Sequence, residues 1–263
     1  MNIGFLGFGA MAQAMSCGLQ RKREEGGLIL GASARDAAKL QKYAQPLGVR
    51  PFETNRELAK WAQVLFLCVK PHQVAAILQE IRGHQRRDQL LISVAAGISL
   101  DDLMAHCEEG AQVLRALPNT PVRVGAGMTL YSPGPGLKAQ MAEMGRELLA
   151  SFGLVERIEE EKMAAAGSLT GCTPAFFCMV LDALADGAVH QGVSREAALR
   201  LAAASMKGTA ELCLITKDHP AVLKDQVTSP KGTTIEGLRT LERQGLRSAL
   251  MEALIASCVK TRS

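Results

Sequence analysis

Ile3-Gly4-Phe5-Leu6-Gly7-Phe8-Gly9-Ala10-Met11-Ala12 is the stretch that decides how the remainder of this 263-residue chain is read. The apolar run Ile3 to Leu6 has the length and character of a buried parallel strand. The chain turns at Gly7, and the period then becomes helical through Met11, Met15, Gly18 and Leu19. Strand, Gly-x-Gly-x-x-Ala turn and helix are the order a dinucleotide site needs. Gly7 permits the tight turn, Gly9 lets a pyrophosphate approach the backbone, and Ala12 lets the helix lie close to the strand. Ala10 and Met11 bring first-turn N–H groups and the positive end of the helix dipole. A glycine-rich turn also serves plain chain reversal. The nucleotide reading is favoured because the turn opens an alternating β/α pattern.

The second strand is predicted over Leu28 to Ala32, and the residues just after it bear on the cofactor. A site that selects NAD usually carries Asp or Glu there, accepting from the ribose 2′-OH. Here the strand runs into Ser33-Ala34-Arg35, with Asp36 displaced beyond them. A hydroxyl and a guanidinium suit a 2′-phosphate, so NADP(H) is preferred over NAD(H), which stays possible. The competing reading has Ser33 and Asp36 merely capping the helix from Ala37.

Further strands are expected at Val49–Phe52, Val64–Val69, Leu90–Ala95, Val113–Leu117, Gly125–Leu130 and Gly153–Ile158. Helices are expected between them, including one opened by Asn55 and one capped by Ser99. Lys70-Pro71, Ala95-Ala96-Gly97 and Pro118-Asn119-Thr120-Pro121 fall at strand carboxyl ends, where doubly wound sheets place their ligands. From Glu159 the strand signal stops. Helices are predicted from Glu160 to Gly167, Cys172 to Gln191, Ser194 to Thr216, Thr234 to Gln244 and Leu246 to Lys260. The expected architecture is α/β: a Rossmann-type doubly wound sheet over residues 1–158, then an all-helical domain over 159–263. That second half is apolar nearly all round its helices, which predicts a homodimer built through it.

Hydrophobic content of 48% and charged content of 21% describe a globular chain rather than a disordered one. The net charge of +4 is spread out. Its densest cluster, Arg21-Lys22-Arg23 beside Glu24 and Glu25, reads as a solvated helix end, and aromatics at 4% argue against stacking on nucleic acid. Seven cysteines without a C-x-x-C pair read as buried, reduced thiols, and five scattered histidines offer no metal spacing. Phe176 to Leu184 is apolar, but Asp182 and Asp186 mark it as a buried helix rather than a membrane span. With no signal peptide in view, a cytoplasmic location is expected.

Val69-Lys70-Pro71, Ala95-Ala96-Gly97, Leu117-Pro118-Asn119-Thr120-Pro121 and above all Leu223-Lys224-Asp225-Gln226-Val227-Thr228-Ser229-Pro230-Lys231-Gly232-Thr233-Thr234-Ile235 resemble the pyrroline-5-carboxylate reductase family. The likeness runs from Ile3 to about Lys260. It implies reduction of the cyclic imine Δ1-pyrroline-5-carboxylate to L-proline with NAD(P)H, the last step of proline biosynthesis. It also implies an interlocked dimer that assembles further into a ring of five, a homodecamer. By that resemblance the cofactor contacts fall on Gly7, Gly9, Ala10, Met11, Ala12, Ser33, Arg35, Asn55, Cys68, Val69, Lys70, Pro71, Ala95, Ala96, Gly97 and Asn119. The substrate contacts fall on Ser229, Lys231, Gly232, Thr233 and Thr234, with Thr234 reaching the ring nitrogen. Two departures stand out. Lys231 occupies a position where the family has Gly, in a turn that needs φ > 0. Leu169-Thr170-Gly171-Cys172-Thr173-Pro174-Ala175-Phe176 replaces a Ser-Gly-Ser-Gly-Pro-Ala-Tyr-like run expected at a helix entry.

The residues of the last motif make chemical sense on their own. A carboxylate needs donors, and Ser229 to Thr233 supplies hydroxyls and backbone N–H groups ahead of a helix. The plainer reading makes Ser229 or Thr233 an ordinary N-cap. Rival functions are an NADP-dependent reductase of another cyclic imine or oxo acid, and a non-catalytic NADP-binding regulator. Hydroxyacid dehydrogenases of this two-domain plan carry a lysine in a helix of the second domain. The comparable stretch here, Met163 to Phe177, contains none.

Overall fold

The computed structural model describes residues 1–262 except Glu25 and Arg87. Its elements run β1 (Asn2–Leu6), α1 (Ala10–Gly18), α2 (Gln20–Glu24), β2 (Ile29–Ser33), α3 (Ala37–Ala44), β3 (Arg50–Pro51), α4 (Asn55–Trp61), β4 (Val64–Leu67), α5 (Val74–Ile81), β5 (Leu90–Ser93) and α6 (Leu100–His106). They continue with β6 (Gln112–Pro118), β7 (Gly127–Pro133), α7 (Ala139–Leu149), β8 (Gly153–Arg157), α8 (Met163–His190), α9 (Arg195–Thr216), α10 (Pro220–Gln226), α11 (Thr233–Arg243) and α12 (Leu246–Arg262). The strands form one sheet in the order β3-β2-β1-β4-β5-β6-β7-β8, parallel except for the β6–β7 pair.

Period-2 alternation divides the sheet's side chains between two cores. Ile3, Phe5, Val64, Phe66, Leu90 and Ile92 face one side, with α1, α3 and α7 packed over them. Leu6, Leu65, Leu67 and Leu91 face the other, under α4, α5 and α6. Both faces are apolar, so the central strands read as near-continuous hydrophobic runs. Phe5 and Phe66 stack with ring centroids 5.3 Å apart and are fully buried, each contributing about 1.5–3 kcal/mol by burial alone.

Two compact units emerge: Met1–Gly171 with the chain end from Lys260, and Cys172–Val259. The sheet stops at Arg157, but the first turns of α8 belong with it, and Met163 and Ser168 are buried there. In the second unit many apolar side chains are open to solvent: Met179 is 77% exposed, Ile215 72% and Phe177 52%. Glu160–His190 is long and apolar enough by composition to cross a membrane, with a mean hydropathy of 1.5 in its best window.

Several expectations need correcting. The helices expected separately over Glu160 to Gly167 and Cys172 to Gln191 are one continuous helix, α8, with Pro174 inside it. Flanking turns carry enough helical hydrogen bonds to tolerate one missing N–H. Helix α10 has no clear signal in the sequence; His219 caps it, its Nδ1 accepting from the Ala221 N–H at 3.2 Å. Thr54, not Asn55, caps α4. The cysteines are all free, but none is fully buried: Cys178 is exposed and the other six are half-buried. Four of the seven lie on α8, α9 and α12, whose apolar faces are open. In the basic cluster Lys22 donates to the Glu147 carbonyl (3.1 Å) and Arg23 to the Leu47 carbonyl (2.5 Å), so neither is merely solvated. Glu25 and the Arg21 side chain lie outside the described residues.

Candidate active site

Register places Leu6, Ser33, Leu67 and Ser93 in one row across β1, β2, β4 and β5. The loops after them therefore leave from a single edge of the sheet. The winding of the sheet reverses between β1 and β4, which makes that junction the topological switch point where such folds bind ligands. Gly7 sits there with φ 85°, and its N–H donates to the Ser33 carbonyl at 2.9 Å. A Cβ at Gly7 would lie 2.6 Å from Val69 Cγ1 and 2.8 Å from the Cys68 carbonyl oxygen, so both geometry and space demand glycine.

Gly9 is different. It is the extended N-cap of α1, with no side-chain cap hydrogen bond and no acidic residue in the first turn. A Cβ there would meet nothing within 4 Å. Ala12 is fully buried, holding α1 against the sheet. The first-turn N–H groups of Ala10 and Met11 thus meet no acceptor side chain among the described residues and border open space. This fits a dinucleotide diphosphate, which needs backbone donors and room. Ala96 and Gly97 are exposed, with φ 76° and no obstruction at Gly97, while Ala95 is buried. Lys70 is exposed and Pro71 begins a short 3₁₀ turn. Cys68 is half-buried as a residue, but its thiol is turned inward, and that burial pushes the thiol well above its ordinary range.

At the end of β2, Ser33 is buried inside the strand, not beyond it as expected. Its hydroxyl donates to Asn55 Oδ1 at 2.6 Å, and Asn55 Nδ2 donates to Glu80 Oε2 at 2.7 Å. Only Asp36 caps α3, accepting from the Lys39 N–H at 2.9 Å. Arg35 is exposed and forms no ion pair among the described residues.

Asn119 lies just past β6, and its amide is engaged within the protein. Pro174 cannot donate to the Thr170 carbonyl four residues earlier in α8. Asn119 Nδ2 donates to that carbonyl instead, at 3.0 Å, and Asn119 Oδ1 accepts from the Met128 N–H at 2.9 Å. One N–H of the amide remains for a ligand. Nearby, Arg115 in β6 is ion-paired with Glu160, whose Oε1 also accepts from the Leu100 N–H at 3.0 Å.

In the second unit, the Gly232 N–H donates to the Ser229 carbonyl at 3.0 Å, closing a turn with Pro230 and Lys231 at its centre. Lys231 has φ 59°. Proline second and positive φ third is the type II arrangement, which normally requires glycine third. Lys231 therefore takes up the left-handed conformation itself. Lys231→Gly is expected to stabilise the protein by about 1 kcal/mol, the relieved left-handed cost less the added freedom of an unfolded glycine. A chemical-denaturation midpoint that does not rise would contradict this.

Gly232, not Ser229 or Thr233, is the N-cap of α11, and no side chain caps the helix. Thr233 and Thr234 are its first two residues. The hydroxyls of Ser229, Thr233 and Thr234 have no protein partner among the described residues, and all three residues are exposed. First-turn N–H groups and three uncommitted hydroxyls thus converge on one turn, a donor set suited to a carboxylate.

Residues 160–263 match the family model described as pyrroline-5-carboxylate reductase dimerisation, and residues 2–97 match one described as NADP oxidoreductase coenzyme F420-dependent. Pyrroline-5-carboxylate reductase 2 of Rattus norvegicus is 36% identical over 271 residues, covering 100% of this chain and 83% of its own length. The chain belongs to the pyrroline-5-carboxylate reductase family. The reductase of Escherichia coli K12 is 35% identical, covering 96% of this chain and 94% of its own. A Plasmodium falciparum pyrroline carboxylate reductase with NADP bound superposes with a TM-score of 0.88 at 26% identity, over 100% of this chain and 97% of that one. A Streptococcus pyogenes 1-pyrroline-5-carboxylate reductase gives 0.89 at 27%, over 100% and 98%. A Mycobacterium tuberculosis 3-hydroxyisobutyrate dehydrogenase, at 0.53 and 17% over 73% of this chain and 66% of that one, shares the fold alone. Membership in the pyrroline-5-carboxylate reductase family makes the chain an oxidoreductase that takes an NAD(P) cofactor.

Two residues of this reductase, Glu80 and Arg115, lie outside the expected set of site residues. Glu80 lies in α5, with no motif around it. Arg115 does carry a signal, because a cation inside the apolar run Val113 to Leu117 must find a buried partner.

Proposed function

We propose that the protein reduces Δ1-pyrroline-5-carboxylate to L-proline, with NADPH preferred over NADH, as a homodimer joined through its C-terminal helices. The observation that carries this reading is the α11 turn, an uncapped helix start with open hydroxyls, in a chain 36% identical to a named reductase along its whole length. Gly7 to Ala12 would hold the diphosphate, and Ser33 with Arg35 the ribose 2′ position. The nicotinamide, when bound, supplies the hydride. Ser229, Gly232 and Thr233 neutralise the substrate carboxylate with N–H and O–H donors. The Thr234 hydroxyl donates to the ring nitrogen, holding positive character there and turning the C=N carbon toward its reductant. A protonated imine needs no strong general acid, in keeping with a turn that offers serine and threonine hydroxyls and the Lys231 ammonium but no carboxylic acid or imidazole.

A second copy is favoured over a lipid surface for covering the open helices. Asp182 and Asp186 on α8 lie 4.0 and 2.5 Å from Arg195, and such charge clusters suit a protein interface better than hydrocarbon. The free cysteines support a cytoplasmic setting. Closed rings of five dimers are the family's habit and are proposed here on that ground alone.

The test is NADPH and NADH oxidation with pyrroline-5-carboxylate beside a panel of oxo acids and other cyclic imines. Turnover confined to the other substrates overturns the reading. Thr234→Ala is expected to lower kcat/KM by about ten- to a hundredfold, the loss of one hydrogen bond to a reacting group, with NADPH affinity unchanged. An unchanged rate removes Thr234 from the mechanism.

A further inference from the structure

The chain of hydrogen bonds at the end of β2 has a direction. A carboxylate can only accept, so Asn55 must turn its NH₂ toward Glu80, 2.7 Å away. That leaves Asn55 Oδ1 facing the Ser33 hydroxyl at 2.6 Å, and an amide oxygen can only accept. Ser33 is therefore obliged to donate inward, and its outward capacity is that of an acceptor. The direction originates at Glu80, two hydrogen bonds away, and not at Ser33 itself.

We propose that Glu80 sets the discrimination between a 2′-hydroxyl and a 2′-phosphate on the adenosine ribose, by fixing the orientation of the Asn55 amide and through it the Ser33 hydroxyl. This rests on the reading of the β2 edge as the ribose site. A ribose 2′-OH can donate to an acceptor-facing Ser33. A 2′-phosphate is rich in acceptors and needs Ser33 to donate outward, which breaks the bond to Asn55. Flipping Asn55 to compensate would set its carbonyl against the Glu80 carboxylate. Exposed Arg35 pulls the other way, toward phosphate. Glu80 thus works against Arg35 and keeps the 2′-hydroxyl cofactor competitive. Its backbone carbonyl accepts from Arg56 Nε at 3.2 Å, a bond that side-chain exchange leaves intact. Glu80 is a positioning residue, acting through Asn55.

Glu80→Gln lets the Asn55 amide turn either way. Titration calorimetry of the full chain with adenosine 2′,5′-bisphosphate and with 5′-AMP reads the consequence without any imine. Glu80→Gln is expected to tighten the bisphosphate by about tenfold, the scale of one hydrogen bond to a charged group, and to leave 5′-AMP unchanged. In a Ser33→Ala background the same exchange should gain nothing, because no hydroxyl is left to redirect. An equal gain in both backgrounds would mean that charge removal alone is responsible, and the proposal falls. No gain in the parent also overturns it. If neither nucleotide binds the parent protein, the ribose-site reading itself fails and takes this inference with it. Binding without reduction of pyrroline-5-carboxylate touches only the proposed reaction.

Discussion

Gly9→Asp raises the NADPH dissociation constant by about a hundredfold or more, roughly 2.7 kcal/mol, while leaving the fold intact. The separation of the two effects comes from the backbone. Gly9 is extended, at φ −79° and ψ −170°, so an L-residue fits without strain, and its Cβ would meet nothing within 4 Å. Aspartate is moreover a good N-cap. Its carboxylate would accept from the first-turn N–H groups of α1 and suit the dipole, adding a few tenths of a kcal/mol. Those are the same donors the diphosphate would use, and a fixed carboxylate repels it besides. Fluorescence titration with NADPH, beside a thermal melt without it, reads both quantities. Binding within about threefold of the parent would be incompatible with a diphosphate at this turn, since displacing even one charge-assisted hydrogen bond costs more.

Arg115→Met lowers global stability by about 3 kcal/mol, the scale for breaking a largely buried ion pair from one side. The Arg115 side chain is 7% exposed and that of its partner Glu160 26%. Once the guanidinium is gone, Glu160 keeps a bond from the Leu100 N–H but no counter-charge. Urea unfolding should therefore show the single variant well below the parent. Arg115→Met with Glu160→Gln should recover most of the loss, because no uncompensated charge remains. A loss under about 1 kcal/mol in the single variant would place this pair with weak surface bridges.

What could be read from residue order was whatever rests on local pattern. The apolar runs Ile3–Leu6 and Val64–Val69 became adjacent central strands because only a doubly covered parallel sheet buries both their faces. Asp36 and Ser99 cap the helices they precede, since capping is a matter of three residues. The need for positive φ at Lys231 was legible through the resemblance, because the family carries Gly at that position. Non-local facts were not. Nothing near Pro174 says that a helix survives it, because the compensating amide is Asn119, 51 residues before the carbonyl it serves. Ser33 could be placed at a strand end, but its hydrogen-bond direction depends on Glu80, which lies on another helix. Residue preference points to a hydroxyl side chain as the cap of α11, whereas Gly232 stands there and its Cβ would come 2.3 Å from Ser229 Oγ.

The Asn119 amide and the Pro174 ring answer one another: the ring withholds a donor from the Thr170 carbonyl, and the amide supplies one. The cost of exchanging either residue thus depends on what stands at the other. Neither position's contribution can therefore be read with the other left as it is. Loss of the asparagine would be tolerated most readily where the imino acid had already gone.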